Sequence, residues 1–293
     1  MSASLFTFFR RLGSTIVLWT LILASVLSGK EAVYFCLLMG MCLLGLWEYF
    51  KMLDTQKIPN FKLTAMLTAA VFLGTSFFYY RRFGPANSYD FELVMLVLFV
   101  MVLFVRQMFA KIRDQEPLQT MAYTLFGLIY IPWLFDFMTK IVYLPPAQAD
   151  GAPAGQYYVL YLIMVTKFSD MGAYTFGSIF GKHPFAPHIS PKKTWEGFFG
   201  ALITSLLGSY WIYALIPGRL PAFGFCDLTI LGLVLGFAAV IGDLAESVVK
   251  RSTHIKDSSS LLPGIGGTLD LIDSILFTGP LLFFYMRLVL QMG

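Results

Sequence analysis

Apolar runs recur along the whole 293-residue chain, each about 17 to 25 residues long and so able to cross roughly 30 Å of hydrocarbon as a helix. They lie at about 13–29, 32–50, 62–80, 91–109, 119–143, 157–180, 195–216, 228–249 and 271–290. This pattern predicts an all-α, polytopic integral membrane bundle of about nine transmembrane helices. Charged residues make up 13% of the chain, about half the roughly 25% of soluble domains. No soluble domain is expected, and no nucleic-acid partner. The chain reads as one transmembrane domain, 1–293, with plain spans over 1–156 and the chemistry-bearing spans over 157–293. The first run has no small-residue cleavage pattern behind it and is kept as a span rather than a signal peptide. Cys36, Cys42 and Cys226 lack metal-ligand spacing and read as small packing residues.

The basic residues orient the bundle, because cytoplasmic loops carry the excess of Lys and Arg. With the N-terminus inside, the inner segments hold Arg10, Arg11, Lys51, Lys57, Lys62, Arg106, Lys111, Arg113, Lys182, Lys192, Lys193, Lys250, Arg251 and Lys256. The outer side and outer span ends hold Lys30, Arg81, Arg82, Lys140, Arg219 and Arg287. Nine spans then leave the C-terminus outside, in the cell (inner) membrane. This orientation carries Lys167, Asp170 and Tyr174 to the inner half of the sixth span. It carries Asp243, Glu246 and Lys250 to the inner end of the eighth, and Asp270 and Asp273 to the inner start of the ninth. Residues three and four apart share a helix face, so three helices can each turn one charged face to a common pocket near the cytoplasmic surface.

The segment from Gly242 to Asp273, GDLAESVVKRSTHIKDSSSLLPGIGGTLDLID, concentrates the charge. Ionisable groups against apolar spans are costly and mark sites or pathways. Clustered carboxylates suit Mg²⁺, which takes a few carboxylate oxygens with substrate phosphates and waters. Lysines and arginines suit phosphate oxygens. The turn Pro263-Gly264-Ile265-Gly266-Gly267 leads into a helix and offers backbone N–H groups to an anion. A second basic loop, GKHPFAPHISPKKTWEG from Gly181 to Gly197, falls on the same side. Metal, phosphate and a lipid-embedded pocket together suggest phosphoryl or nucleotidyl transfer to a lipid.

Ser247, Lys250-Arg251, Lys256-Asp257, Leu262-Pro263, Gly266-Gly267, Asp270 and Asp273 follow one another at the spacing of a known signature. Upstream stand Asp170 to Tyr174, Gly177, Phe180 to His183 and Ile189 to Gly197. Over roughly 167–280 the chain resembles the phosphatidate cytidylyltransferase (CDP-diacylglycerol synthase) family. It departs from the pattern at Ile265, where the family usually has His, and at Leu271, where it usually has Arg. The resemblance implies transfer of CMP from CTP to phosphatidic acid, giving CDP-diacylglycerol and pyrophosphate in phospholipid biosynthesis. It implies Mg²⁺, a second metal ion beside it, and a homodimer among membrane lipids. Asp243, Asp270 and Asp273 become the leading metal ligands, with Glu246 and Asp170 behind them. Lys250, Arg251 and Lys256 would hold phosphates. Asp170, Ser190, Lys192, Lys193, Thr194, Ser247, Gly266 and Gly267 would line the substrate side.

Plainer roles compete for several of these residues. Asp243 and Glu246 could form an ion-pair set with Lys250, Asp270 could cap the ninth span, and Lys192-Lys193 could act only as topology signals. Trp47-Glu48-Tyr49 reads as a boundary feature of the second span, and His183 and His188 as flanks of a turn. A CTP-dependent lipid-alcohol kinase is the neighbouring activity; it would need a base to activate a neutral hydroxyl. A cation-coupled transporter would spread its acids through the membrane depth, often with internal repeats. Here the acids gather at one side and the sequence has no repeat.

Overall fold

The computed structural model describes residues 28–110, 117–146, 154–253 and 266–292, together with 13, 16, 17 and 19–25. Eight long helices run through them. These are α1 (Glu31–Thr55), α2 (Lys62–Phe83), α3 (Tyr89–Met108), α4 (Pro117–Tyr143), α5 (Gln156–Phe180), α6 (Trp195–Leu215), α7 (Phe225–Ser252) and α8 (Leu269–Val289). All except α5 are long and apolar enough to cross a membrane. α5 has the length but carries Lys167 and Asp170 near its middle. The first expected span lies partly outside the described residues; those described between 13 and 25 are helical. Among the described residues one antiparallel hairpin forms, β1 (Pro184–Ala186) with β2 (Ser190–Thr194).

Local chemistry accounts for the breaks. α4 opens on Pro117, a residue tolerated in a first turn because no partner awaits its missing N–H. Inside it Pro132 removes a donor, and the backbone widens to a π-turn over Ile129–Trp133. Thr194 ends β2 and caps α6: its side-chain oxygen accepts the N–H of Gly197 at 3.2 Å.

The helices gather into two compact units, and the division falls inside α8. One unit comprises residues up to Thr139 with Thr253–Ile272. Its core is aromatic. Phe72 stacks on Trp133 with centroids 5.5 Å apart, Tyr49 donates to the Tyr123 carbonyl at 2.9 Å, and Tyr80 donates to Asp136 at 2.8 Å. α3 buries only Phe99 and Leu103, and leaves Leu93, Val97, Met101 and Phe104 exposed. A helix that is apolar all round and so little covered by protein suits lipid as its solvent.

The other unit comprises Lys140–Ser252 with Asp273–Gly293. α5 and α6 meet along most of their length, where Thr204 donates to the Phe168 carbonyl at 2.8 Å. α7 joins them through hydroxyls that would otherwise be stranded in an apolar interior. Ser169 donates to the Gly236 carbonyl at 3.1 Å, and Ser209 to the Leu228 carbonyl at 2.7 Å. Small and hydroxylated residues at helix seams are what association without a hydrophobic driving force requires.

Candidate active site

The charges of the second unit converge. Carboxylate oxygens of Asp243 and Glu246, one turn apart on α7, and of Asp273 on α8 all lie within 4.8 Å of one another. A glycine makes this possible. A Cβ on Gly242 would stand 2.7 Å from the carbonyl oxygen of Asp273 and 2.8 Å from Cα of Ser274, so only a hydrogen lets the two helices touch backbone to backbone. α5 adds Asp170, whose second oxygen sits 3.4 Å from the Ser274 hydroxyl.

Three acids this close repel one another, and three lysines offset them. Lys250 pairs with Glu246 at 2.9 Å, one turn along α7. Lys193 comes from β2 and pairs with Asp243 at 2.9 Å. Lys167 pairs with Asp170 at 2.9 Å. Formally, the carboxylates of Asp170, Asp243, Glu246 and Asp273 meet the ammonium groups of Lys167, Lys193 and Lys250, which leaves one negative charge over. Glu246 and Lys250 are largely buried, while Asp243 is 45% exposed and opens the cluster to its surroundings. Three hard oxygen donors at this spacing, with residual negative charge and one open side, fit Mg²⁺.

The residues expected from sequence separate into groups. Asp170, Lys193, Asp243, Glu246, Lys250 and Asp273 come together, and Lys167 joins them. Lys192, next to Lys193 on an extended strand, points the other way and is exposed. Thr194 serves as a helix cap. Arg251 donates from Nε to the Ile189 carbonyl at 3.2 Å and ties the end of α7 to the hairpin. Ser190 and Ser247 are half-buried. Tyr174, expected on the charged face of α5, is 78% exposed. Lys256 lies outside the described residues.

Asp270 belongs to the first unit and has a local task. Its carboxylate accepts the N–H of Gly267 at 2.7 Å. Gly266 before it has φ +122°, a conformation that a side chain would strain, and a Cβ there would run into the Asp270 carboxylate. The next two amides, of Thr268 and Leu269, donate to the two oxygens of Glu48 at 2.9 and 2.8 Å. The turn that was expected to present N–H groups to a substrate anion thus has the amides of Gly267, Thr268 and Leu269 held by carboxylates of the protein itself. Glu48 on α1 is fully buried. Its sequence signal was a lone acid inside an apolar run, a costly placement that demands a partner.

Comparison with known proteins matches residues 9–289 to the model of the Cytidylyltransferase family. A phosphatidate cytidylyltransferase of Haemophilus influenzae is 30% identical over 276 residues, covering 88% of this chain and 91% of that protein. One of Mycobacterium bovis is 37% identical over 153 residues, 52% of this chain and 46% of that protein. One of Staphylococcus haemolyticus is 42% identical over 128 residues, 44% and 48% respectively. The chain thus spans about half the length of the mycobacterial and staphylococcal relatives it matches. The family match, by contrast, extends far beyond the charged segment and takes in the apolar helices of both units, so the chain as a whole belongs to the Cytidylyltransferase family.

Proposed function

We propose that the protein is a phosphatidate cytidylyltransferase, which transfers CMP from CTP to phosphatidic acid and releases pyrophosphate. The observation that carries this reading is the group of Asp243, Glu246 and Asp273, with oxygens within 4.8 Å, flanked by Lys193 and Lys250. An oxygen of the phosphatidate monoester attacks the α-phosphorus of CTP, and the bond from that phosphorus to the bridging oxygen of the β-phosphate breaks. The nucleophile is already anionic at neutral pH, so the chain need not supply a base. The tasks left to the protein are to bring two anions together and to steady the departing charge.

Asp243, Glu246 and Asp273 would hold Mg²⁺, with Asp170 beside them and Asp270 one helical turn earlier. Bound Mg²⁺ would neutralise charge on the triphosphate and on the leaving pyrophosphate. Lys193 shares the carboxylate of Asp243 and is placed to meet phosphate oxygens at the same position. Lys250 and Lys167 pair with Glu246 and Asp170 at 2.9 Å and would hold them in orientation. Arg251, Lys256, Ser190 and Ser247 would border the substrates, while Thr194 sets the start of α6 behind the hairpin.

The full membrane arrangement follows from the charge pattern: nine spans in the inner membrane, N-terminus in, C-terminus out, with the site facing the cytoplasm. A homodimer and a second metal ion complete the reading as the family resemblance implies it. The test uses purified full-length protein in mixed micelles with CTP labelled at the α- or γ-phosphate and a panel of lipid acceptors. α-Label in a CDP-lipid, with stoichiometric pyrophosphate, is the expected result. γ-Label in a lipid phosphate would replace this reading with the lipid-alcohol kinase.

A further inference from the structure

We propose that Glu48 is a positioning residue for the transferase site: its carboxylate fixes the start of α8, the helix that presents Asp270 and Asp273. The inference rests on the reading of the site as Mg²⁺-dependent. A helix start leaves its first N–H groups without intrahelical partners and carries partial positive charge. Glu48 supplies both the acceptors and the charge, with one oxygen on Thr268 and the other on Leu269. The link is long in sequence, 220 residues, and dry, since Glu48 is fully buried and Thr268 and Leu269 are nearly so. In such surroundings a charged hydrogen bond is strong and its loss is not repaired by water.

The contact is also close enough to transmit position. One turn before Glu48, a Cβ on Gly45 would stand 3.0 Å from Cδ1 of Ile272, so α1 lies directly against the first turn of α8. α8 runs unbroken from Leu269 to Phe284. Asp273 is the fifth residue of that helix, about 6 Å along the axis from its start. A helix is stiff over this distance, so a shift at the Glu48 contact moves Asp270 and Asp273 with it. Asp270 holds the amide of Gly267, and Glu48 holds the two amides that follow.

Glu48→Gln keeps the size of the side chain but loses its charge. Its NH₂ group cannot accept, so one of the two helix amides loses its partner. The experiment compares wild type with Glu48→Gln by Mg²⁺ titration of turnover, direct Mg²⁺ binding by calorimetry, and amide hydrogen exchange over 266–272. The expected result is faster exchange at Thr268 or Leu269, an Mg²⁺ midpoint raised about tenfold to a hundredfold, and an unchanged KM for CTP. That is the range for groups that orient metal ligands. A folded variant with wild-type Mg²⁺ affinity and kcat would overturn the proposal, even with faster exchange, because the cap would then matter only to stability.

Should Glu48→Gln fail to fold, Glu48→Asp carries the same test. It retains the charge but is one methylene shorter, so it must draw the helix start toward α1 or release an amide. A raised Mg²⁺ midpoint supports the proposal, and a wild-type midpoint overturns it. Wild-type protein that makes no CDP-lipid would instead sink the proposed function, while calorimetry and exchange would still decide the role of Glu48.

Discussion

Gly242 is the point at which the geometry of the acidic cluster can be disturbed without changing any of its side chains. Its ideal Cβ position lies 2.7 Å from the carbonyl oxygen of Asp273, whereas ordinary contact begins at 3.4 Å. The nearest atoms belong to backbone and cannot swing aside. Gly242→Ala therefore has to part α7 and α8 locally by about 0.7 Å, at an overpacking cost of about 1–3 kcal/mol. The same displacement separates Asp243 and Glu246 from Asp273. A misplacement approaching 1 Å in a catalytic constellation costs up to about a hundredfold in rate. We expect kcat to fall by about tenfold to a hundredfold, with a raised Mg²⁺ requirement and only a modest fall in Tm. The assay is CDP-lipid formation across an Mg²⁺ titration, alongside thermal unfolding in detergent. Gly74→Ala on α2 is the control: its added methyl meets nothing within 4 Å, so activity should stay at the wild-type level. A well-folded Gly242→Ala protein with wild-type kcat and Mg²⁺ midpoint would refute the link between this helix contact and the site.

Three further outcomes can be measured. Asp273→Asn should lose at least about a hundredfold in turnover, the effect of removing one preorganised electrostatic group; saturating CTP should not restore it. Near-normal turnover and Mg²⁺ dependence would remove Asp273 from the metal site. Lys193→Gln should raise KM for CTP or lipid and lower kcat severalfold, because it removes the partner of Asp243, while Lys192→Gln, on the exposed face of the same strand, should change KM by less than about threefold. Equal effects from the two would contradict their divergence. A cysteine placed after Gly293 should react with impermeant reagent from the periplasmic side of intact cells; labelling only after lysis would reverse the orientation or change the number of spans.

The helices were legible because lipid imposes one strong rule on sequence. Runs such as Leu93 to Val105 have no alternative to a buried or lipid-facing helix, and the structure bears out eight of the expected spans as helices. The convergence of Lys167, Asp170, Asp243, Glu246 and Asp273 was legible for a related reason. Ionisable groups against apolar helices need one another, and their spacing put them on single faces. Residues 184–194 were read only as a basic loop. Three- and five-residue strands carry too little pattern to announce a hairpin, and adjacent lysines look alike until the strand sends them to opposite sides.

The turn before α8 shows where residue-type reasoning stops. Glycines ahead of a helix fit an anion cradle, and that is the physics the turn obeys. What composition cannot specify is which anion occupies it. The amides of Thr268 and Leu269 could serve a substrate phosphate, water or a side chain from any other span with the same local sequence. The choice is made by α1, whose Gly45 permits close approach and whose Glu48 then reaches both amides. Read alone, Glu48 beside Trp47 and Tyr49 looks like the polar edge of a span. Inside the protein its two oxygens meet backbone amides 220 and 221 residues away. A carboxylate that costs this much to bury and finds its partners at the start of the helix bearing Asp273 links the part of the chain without signature residues to the part that carries them. For that reason a variant far from the signature, at Glu48, is expected to alter metal affinity.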